Sequence, residues 1–293
     1  MDWIVLSILA ALLWSVVNVV DKYVISKFID KLIVPVIITG AIGFVASLVI
    51  FFTHGFLYLS LSNILLAIVA GFLYILMNIL YYNAIKIEEI SKVVPLFFIA
   101  PIFILVIAAI FLGEVFTLPK YIGIFLLVFG AVLISSKKLS FNFGRAFWIM
   151  ILAALVLAVN QVITKYLLNF ADFWTVFAYI RIGAFIALLP AIIINIKTFK
   201  EIFKKYGFKP FGLMIAGESL NFIGTICIAL AAVTGFITLV NALSSVQPFF
   251  ILLFTVLISI FYPQILKEEI GKAVVSRKII AIAIMFAGVI LIR

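Results

Sequence analysis

The sequence predicts an all-α integral membrane protein of ten transmembrane helices, built as two inverted five-helix repeats. Composition is the first reason. Residues of the AVILMFWYC set make up 68% of the 293-residue chain and charged residues only 11%, whereas a soluble domain carries about a quarter charged residues to cover its surface. The second reason is run length, since a helix needs about 20 apolar residues to cross a bilayer core of about 30 Å, and this chain is cut into runs of that size. The third is an internal repeat that pairs the two halves of the chain. A membrane β-barrel would instead show segments of about ten residues with alternating polarity. These runs are continuously apolar and about twice as long, so helices are expected.

Charges and turn signals place the spans at 3–21, 33–53, 62–85, 93–113, 118–136, 146–165, 173–195, 211–231, 236–260 and 277–292. The first run, Trp3 to Val20, has no basic stretch ahead of it and ends in AspLysTyr rather than at a small-residue cleavage site. It therefore reads as a permanent helix and not as a cleavable signal. Leu32 to Ile85 contains no charged residue and is too long for one span. ThrHisGly at 53–55 and SerLeuSerAsn at 60–63 supply the turn. Ser219 to Leu266 is likewise uncharged, and ValThrGly at 233–235 divides it. The longest connections, 196–210 and 261–276, are short and basic, which leaves no room for a soluble domain.

Residues 8–25, ILAALLWSVVNVVDKYVI, align without a gap on residues 151–168, ILAALVLAVNQVITKYLL. IleLeuAlaAlaLeu meets IleLeuAlaAlaLeu, Asn18 meets Gln161, and LysTyr at 22–23 meets LysTyr at 165–166. Pro101 in FFIAPIFIL corresponds to Pro248 in SSVQPFFIL, and LeuValPheGlyAlaValLeuIle at 127–134 resembles the stretch at 284–292. The repeats are therefore placed at 1–137 and 144–293. Five spans per repeat is an odd number, so the second copy enters the membrane from the opposite side, a construction common among alternating-access transporters.

The formal net charge is +10. Its Lys and Arg residues lie in short loops beside apolar spans, which points to membrane orientation rather than to nucleic acid. Of the 21 Lys and Arg, Lys120, Lys165 and Arg293 lie on one face, Arg181 lies within a span, and the other seventeen flank the loops after odd-numbered spans. The positive-inside rule then puts both termini outside the cytoplasm. Cys227 is the single cysteine and lies in an apolar run, so it reads as a small buried hydrophobe.

Pro95 and Pro101 in the fourth span, PheLeuGlyGluValPhe at 111–116, TyrIleGly at 121–123 and PheGlyAla at 129–131 resemble the drug/metabolite transporter superfamily, in its EamA-domain branch. The second copy keeps Pro248 and ends in AlaGlyValIleLeuIle, but IlePheTyrProGlnIleLeuLysGluGlu at 260–269 replaces LeuGlyGlu. The resemblance covers nearly the whole chain as two copies of the domain. It implies a ten-helix transporter with a central cavity between the repeats, whose relatives move amino acids, drugs, nucleotide sugars and other metabolites. Better-known ten-helix relatives keep both termini in the cytoplasm. The charge count says the reverse and is followed here.

No G-x-x-x-x-G-K-[ST] occurs, so no P-loop cradles a nucleotide, and no cofactor or metal is expected. The only histidine, His54, falls in a turn. Two charges lie inside spans, Arg181 in the seventh and Glu218 in the eighth. An intramembrane charge costs at least about 2.5–3.5 kcal/mol on insertion scales, which makes each a functional candidate. At about 1.5 Å of rise per residue, Arg181 lies roughly 12 Å from one face and Glu218 roughly 10 Å from the other. The repeat sets Gly71 opposite Glu218 and Ala41 opposite Arg181, so the charges belong to one half only, as an asymmetric substrate would need. Two readings stay open: an ion pair or a lone satisfied charge that fixes the packing of the two spans, or cavity-lining groups that contact substrate or a proton. The intramembrane amides Asn18, Asn78, Asn160, Gln161, Asn221, Asn241 and Gln247, with the aromatic residues Trp14 and Tyr74, complete the candidate substrate-binding set. Pro101 and Pro248 remove a backbone donor in mid-span and kink it. Glu114 and Lys120, at a helix end, read as solvated interfacial residues.

The expected function is secondary active transport of a small metabolite (an amino acid, an amphipathic metabolite or a drug-like compound) across the cytoplasmic membrane by alternating access. Its expected partners are that substrate, membrane lipid and protons as candidate coupling ion, with no nucleic acid. A monomer satisfies this fold, and a dimer stays open. The competing readings are a flippase for a lipid-linked sugar, a lipid-acting enzyme and a non-transporting membrane scaffold. One Glu and one Arg are too sparse for an enzyme's convergent acid, base or metal groups, and a scaffold gives no reason to keep polar residues within the spans.

Overall fold

The computed structural model describes residues 2–28, 33–55, 58–87, 96–135, 144–261 and 272–293. Among them every regular element is a helix and none is a strand. In chain order these are α1 (Trp3–Phe28), α2 (Ile33–His54), α3 (Leu61–Ile87), α4 (Ala100–Phe111), α5 (Leu118–Ser135), α6 (Arg145–Leu167), α7 (Phe173–Tyr206), α8 (Lys209–Thr234), α9 (Ile237–Ser244), α10 (Gln247–Phe261) and α11 (Lys272–Ile292). Among the described residues eight stretches are long and apolar enough to cross a membrane, with α9 and α10 counted together over Ile237–Ile258. Pro95, the expected link between the two repeats at 137–143 and the basic stretch at 262–271 lie outside the described residues.

Two expected boundaries are corrected. The seventh span was expected to end at 195 in a basic loop, yet α7 runs unbroken for 34 residues to Tyr206. At about 1.5 Å per residue that is roughly 51 Å, well beyond a hydrocarbon core of about 30 Å. Residues 191–206 hold no Gly or Pro, so nothing stops the helix where its hydropathy falls. It ends at Gly207, whose φ of +64 takes the left-handed turn that a side chain would resist. Asp172 starts the same helix by accepting from the N–H groups of Trp174 (2.8 Å) and Thr175 (3.2 Å).

The ninth span, expected at 236–260, is broken at Ser245–Val246 into α9 and α10. Pro248 follows two residues later. The first half breaks in the same way, because residues 98–99 form a turn and α4 begins at Ala100 with Pro101 in its first turn. Each proline thus sits at a helix start, where its missing N–H costs nothing, rather than in mid-helix as expected. A short 3₁₀-type bond closes each break: Ile102 N–H donates to Ile99 O and Phe249 N–H to Val246 O, both at 2.9 Å.

Packing joins the two halves. α1 runs along α8, α3 along α6, α2 along α7 and α5 along α11. The AlaAla of the internal repeat explains the first two, since Ala10, Ala11, Ala153 and Ala154 are all fully buried. Small side chains let helix backbones approach closely in lipid, where dispersion and hydrogen bonds replace the hydrophobic drive. At the α5–α11 crossing, a methyl group on Gly123 would press on Gly288 O at 2.9 Å, and one on Gly288 on Gly123 O at 2.9 Å. The outer surface carries Phe52, Phe111, Ile194 and Ile290, each more than 70% exposed. Such a surface is solvated by lipid.

Candidate functional site

The intramembrane polar residues converge on one cavity of about 290 Å³ between the halves. All eleven candidates line it: Glu218, Arg181, Asn18, Asn160, Gln161, Asn221, Asn78, Tyr74, Trp14, Asn241 and Gln247. Hydrocarbon cannot solvate an amide or a charge, so polar groups on these helices turn inward. The two helix breaks also face the cavity, through Phe98, Ala100 and Pro101 on one side and Ser244, Ser245 and Gln247 on the other.

Arg181 is 5% exposed, yet its guanidinium pairs with no carboxylate and makes no hydrogen bond among the described residues. It lies 4.4 Å from the ring centroid of Tyr74 and 4.8 Å from that of Phe177. A desolvated cation–π contact is worth about 2 kcal/mol, which holds the group without satisfying its donors. Room for its stem comes from Gly43 on α2, where a methyl group would stand 2.9 Å from Arg181 Cδ.

Glu218 is held from two sides. Its Oε1 accepts from the Thr39 hydroxyl of α2, and its Oε2 accepts from Asn221 Nδ2 at 3.0 Å. Thr39 and Gly43 are four residues apart, so they share a face of α2 with their Cβ positions about 5–6 Å apart. The Glu218 carboxylate and the Arg181 stem therefore meet α2 one helical turn apart. No salt bridge joins them among the described residues, so the ion-pair form of the packing reading finds no support here. Asn221 is itself anchored, its carbonyl accepting from Thr225 Oγ1 at 2.9 Å and from Trp14 Nε1 at 3.4 Å.

Three of the amides serve structure as well. Asn160 Nδ2 donates to Ala70 O of α3 at 2.6 Å and ties the two halves together. Asn78 Nδ2 donates to Tyr74 O and Asn241 Nδ2 to Ile237 O, each one turn back on its own helix.

Sequence reasoning missed part of this wall. Asp21 lines the cavity, with its Oδ1 facing Gly217 next to Glu218, and the hydroxyl-bearing residues Thr39, Tyr81, Tyr82 and Thr164 join it. Asp21 was passed over because it closes the expected first span beside Lys22, where a charge is ordinarily solvated. The internal repeat held a usable signal. Asp21 aligns with Thr164, and both positions face the cavity.

Glu114 is a second correction. Expected at a solvated helix end, it is 3% exposed. Its Oε1 accepts from Ile237 N at 2.7 Å, and its Oε2 accepts from Thr238 N at 3.0 Å and from Thr238 Oγ1 at 2.7 Å. Hydrogen bonds to a charged group contribute about 1.5–3 kcal/mol each.

A model of the EamA-like transporter family matches residues 1–136. An uncharacterized protein of Methanocaldococcus jannaschii is 30% identical over 133 residues, which span 45% of this chain and 95% of that protein. A solved crystal structure superposes with a TM-score of 0.72 over 99% of this chain and 97% of its own, at 16% identity. At that identity the likeness concerns the fold alone.

Proposed function

This chain belongs to the EamA-like transporter family, and from that premise we propose that it is a secondary active transporter of a small metabolite, working by alternating access. The reading takes α9 and α10 as one broken span and the short α4 as part of another, which gives ten spans in two inverted repeats, 1–137 and 144–293. Matching breaks before Pro101 and Pro248 and the reciprocal approach of Gly123 and Gly288 support that arrangement. The chain resides in the cytoplasmic membrane with its Lys-rich loops on the cytoplasmic face and both termini outside.

The unpaired Arg181 carries this proposal. Its guanidinium lines the cavity with no protein acceptor among the described residues, and a small molecule with an anionic group gains a charge-assisted pair there when it enters. Asp21 and Glu218 stand along the same cavity and suit a cationic group on the same molecule. The volume lies at the lower end of the range of about 300–1,000 Å³ usual for small-molecule sites. We therefore take the substrate to be a small carboxylate- or phosphate-bearing metabolite, with a zwitterion as the best fit.

Protons are the coupling ion in this reading. A proton on Asp21 or Glu218 changes the cavity charge by one unit, and the cavity alternates in access. Uptake into proteoliposomes tests the whole. Accumulation of a labelled zwitterionic metabolite against its gradient, driven by a pH gradient and absent from empty vesicles, is the expected result. A chain that equilibrates no solute in any gradient is not a transporter.

A further inference from the structure

The LeuGlyGlu turn at 112–114 has a part in the structure that a helix end does not require. Leu112 closes α4, its N–H donating to Ala108 O at 2.9 Å. Gly113 turns the chain with a φ of +69, a left-handed conformation that suits glycine. That turn sends Glu114 away from its own helix and onto the first turn of α9, where it meets the N–H groups of Ile237 and Thr238. The first N–H groups of a helix have no partner within it and carry the positive end of its dipole. A buried carboxylate there is well placed.

The other side of the same connection carries the opposite charge. Lys165 of α6 donates from Nζ to Ala232 O and, at 3.1 Å, to Gly235 O, the carbonyls that end α8. These last carbonyls are the negative end of that helix. The α8–α9 turn is thus held by a carboxylate on its outgoing helix and an ammonium on its incoming one. Phe116 packs edge-on against Phe236 within the turn, with ring centroids 5.2 Å apart.

α9 separates two spaces. Asn241, Ser244 and Ser245, toward its C-terminal end, line the central cavity. A cleft of about 380 Å³ before its N-terminal end is bounded by Phe111, Glu114, Lys165, Asn169, Thr234 and Phe236. Between them Ile237, Thr238, Leu239 and Val240 are at most 1% exposed. α9 is therefore a plug, one end in the cavity wall and the other under Glu114.

We propose that Glu114 and Lys165 form a charge latch on the α8–α9 turn, and that releasing it withdraws α9 and opens the cavity toward the face that carries this cleft. The inference rests on the alternating-access reading above. Glu114 is a positioning residue, acting on the cavity through α9 and not by touching substrate.

Cys227 supplies the probe. It is the only cysteine in the chain, is 6% exposed, and packs with Leu6, Ala10, Ala231 and Val240 beneath the latch. It lies seven residues, about 10 Å, below the end of α8. The experiment uses the full chain in sealed proteoliposomes of defined orientation, with a membrane-impermeant maleimide applied to one face at a time. Glu114→Gln keeps the shape but turns one acceptor into a donor facing an N–H, and Lys165→Met removes the donor on the other side. Each is expected to raise the labelling rate of Cys227 from the latch face about tenfold, the effect of losing one charge-assisted hydrogen bond, and to leave labelling from the opposite face unchanged. Thr238→Val, which removes the hydroxyl and keeps the backbone bonds, gives an intermediate rise. Unchanged labelling in both charge variants overturns the latch, and so does an equal rise from both faces, which marks general loosening. If Glu114→Gln fails to fold, the half-buried Lys165→Met carries the same comparison. Solute uptake measured on the same vesicles separates failure of the latch from failure of the transporter reading, since a chain that still transports with unchanged labelling loses only the latch.

Discussion

Two crossings between the halves of the molecule are built by opposite means. α3 meets α7 backbone to backbone, so that a methyl group on Gly71 would run into Ile180 O and Ala184 N, and one on Gly183 into the backbone of Ile68. α8 meets α2 through a side chain, the Glu218 carboxylate accepting from Thr39. The internal repeat pairs Gly71 with Glu218. If the two halves are copies, as proposed above, one spends that position on a tight seal and the other on a polar wall of the cavity, and the chemistry lies where the copies diverge.

The largest expected effect is on the tight crossing. Gly71→Ala forces two backbones apart, and neither can rotate away, so it should cost about 3 kcal/mol or more and lower the thermal unfolding temperature in detergent sharply. Gly43→Ala, on the polar side, meets only the Arg181 stem, a flexible chain that can shift. Its cost should stay below about 1 kcal/mol. Equal losses from the two substitutions would dissolve the comparison.

Glu218→Gln should come next, and its main effect is on function. The amide keeps the shape and can still receive the Thr39 hydroxyl, so folding should survive. It cannot release a proton, so pH-gradient-driven accumulation in proteoliposomes should vanish while equilibrium exchange of solute continues. Undiminished accumulation would remove Glu218 from coupling. The smallest effect belongs to Thr39→Val. The Thr39 hydroxyl divides its one proton between Glu218 and Pro35 O, so its loss should cost about 1 kcal/mol and slow transport several-fold without abolishing it. Initial uptake rates are the measurement, and complete loss would mean that Thr39 does more than hold the carboxylate.

Much of this was legible in the sequence for one physical reason. Polar groups inside apolar spans cannot face lipid, so Arg181, Glu218 and the amides had to share an interior, and they share one cavity. The turns at Gly55 and Gly235 were legible too, because nothing else divides those uncharged runs. What stayed hidden depended on direction rather than composition. Asp21 was given no role, because it stands at the last position of the expected first span, and only the packing of α1 on α8 turns it inward. Glu114 looked solvated because its helix had ended, and only the left-handed Gly113 aims it at α9. The length of α7 was missed because Lys residues that mark a membrane boundary do not stop a helix. The two helix breaks were read as kinks, since a proline announces a lost N–H without saying on which side of it the helix restarts.

The central claim is that Arg181, which has no carboxylate partner among the described residues, receives the anionic group of a small metabolite, and thermal unfolding of the detergent-purified chain tests it most directly. Carboxylates, sugar phosphates, zwitterionic amino acids, simple amines and neutral sugars are each added in turn. A ligand at a hundred times its dissociation constant stabilises the native state by about 2.7 kcal/mol. The account predicts that zwitterions or anions raise the unfolding temperature of the wild-type chain, that Arg181→Met abolishes the rise, and that Glu218→Gln retains most of it. Stabilisation by neutral sugars or amines alone, or a response that Arg181→Met leaves intact, would contradict it.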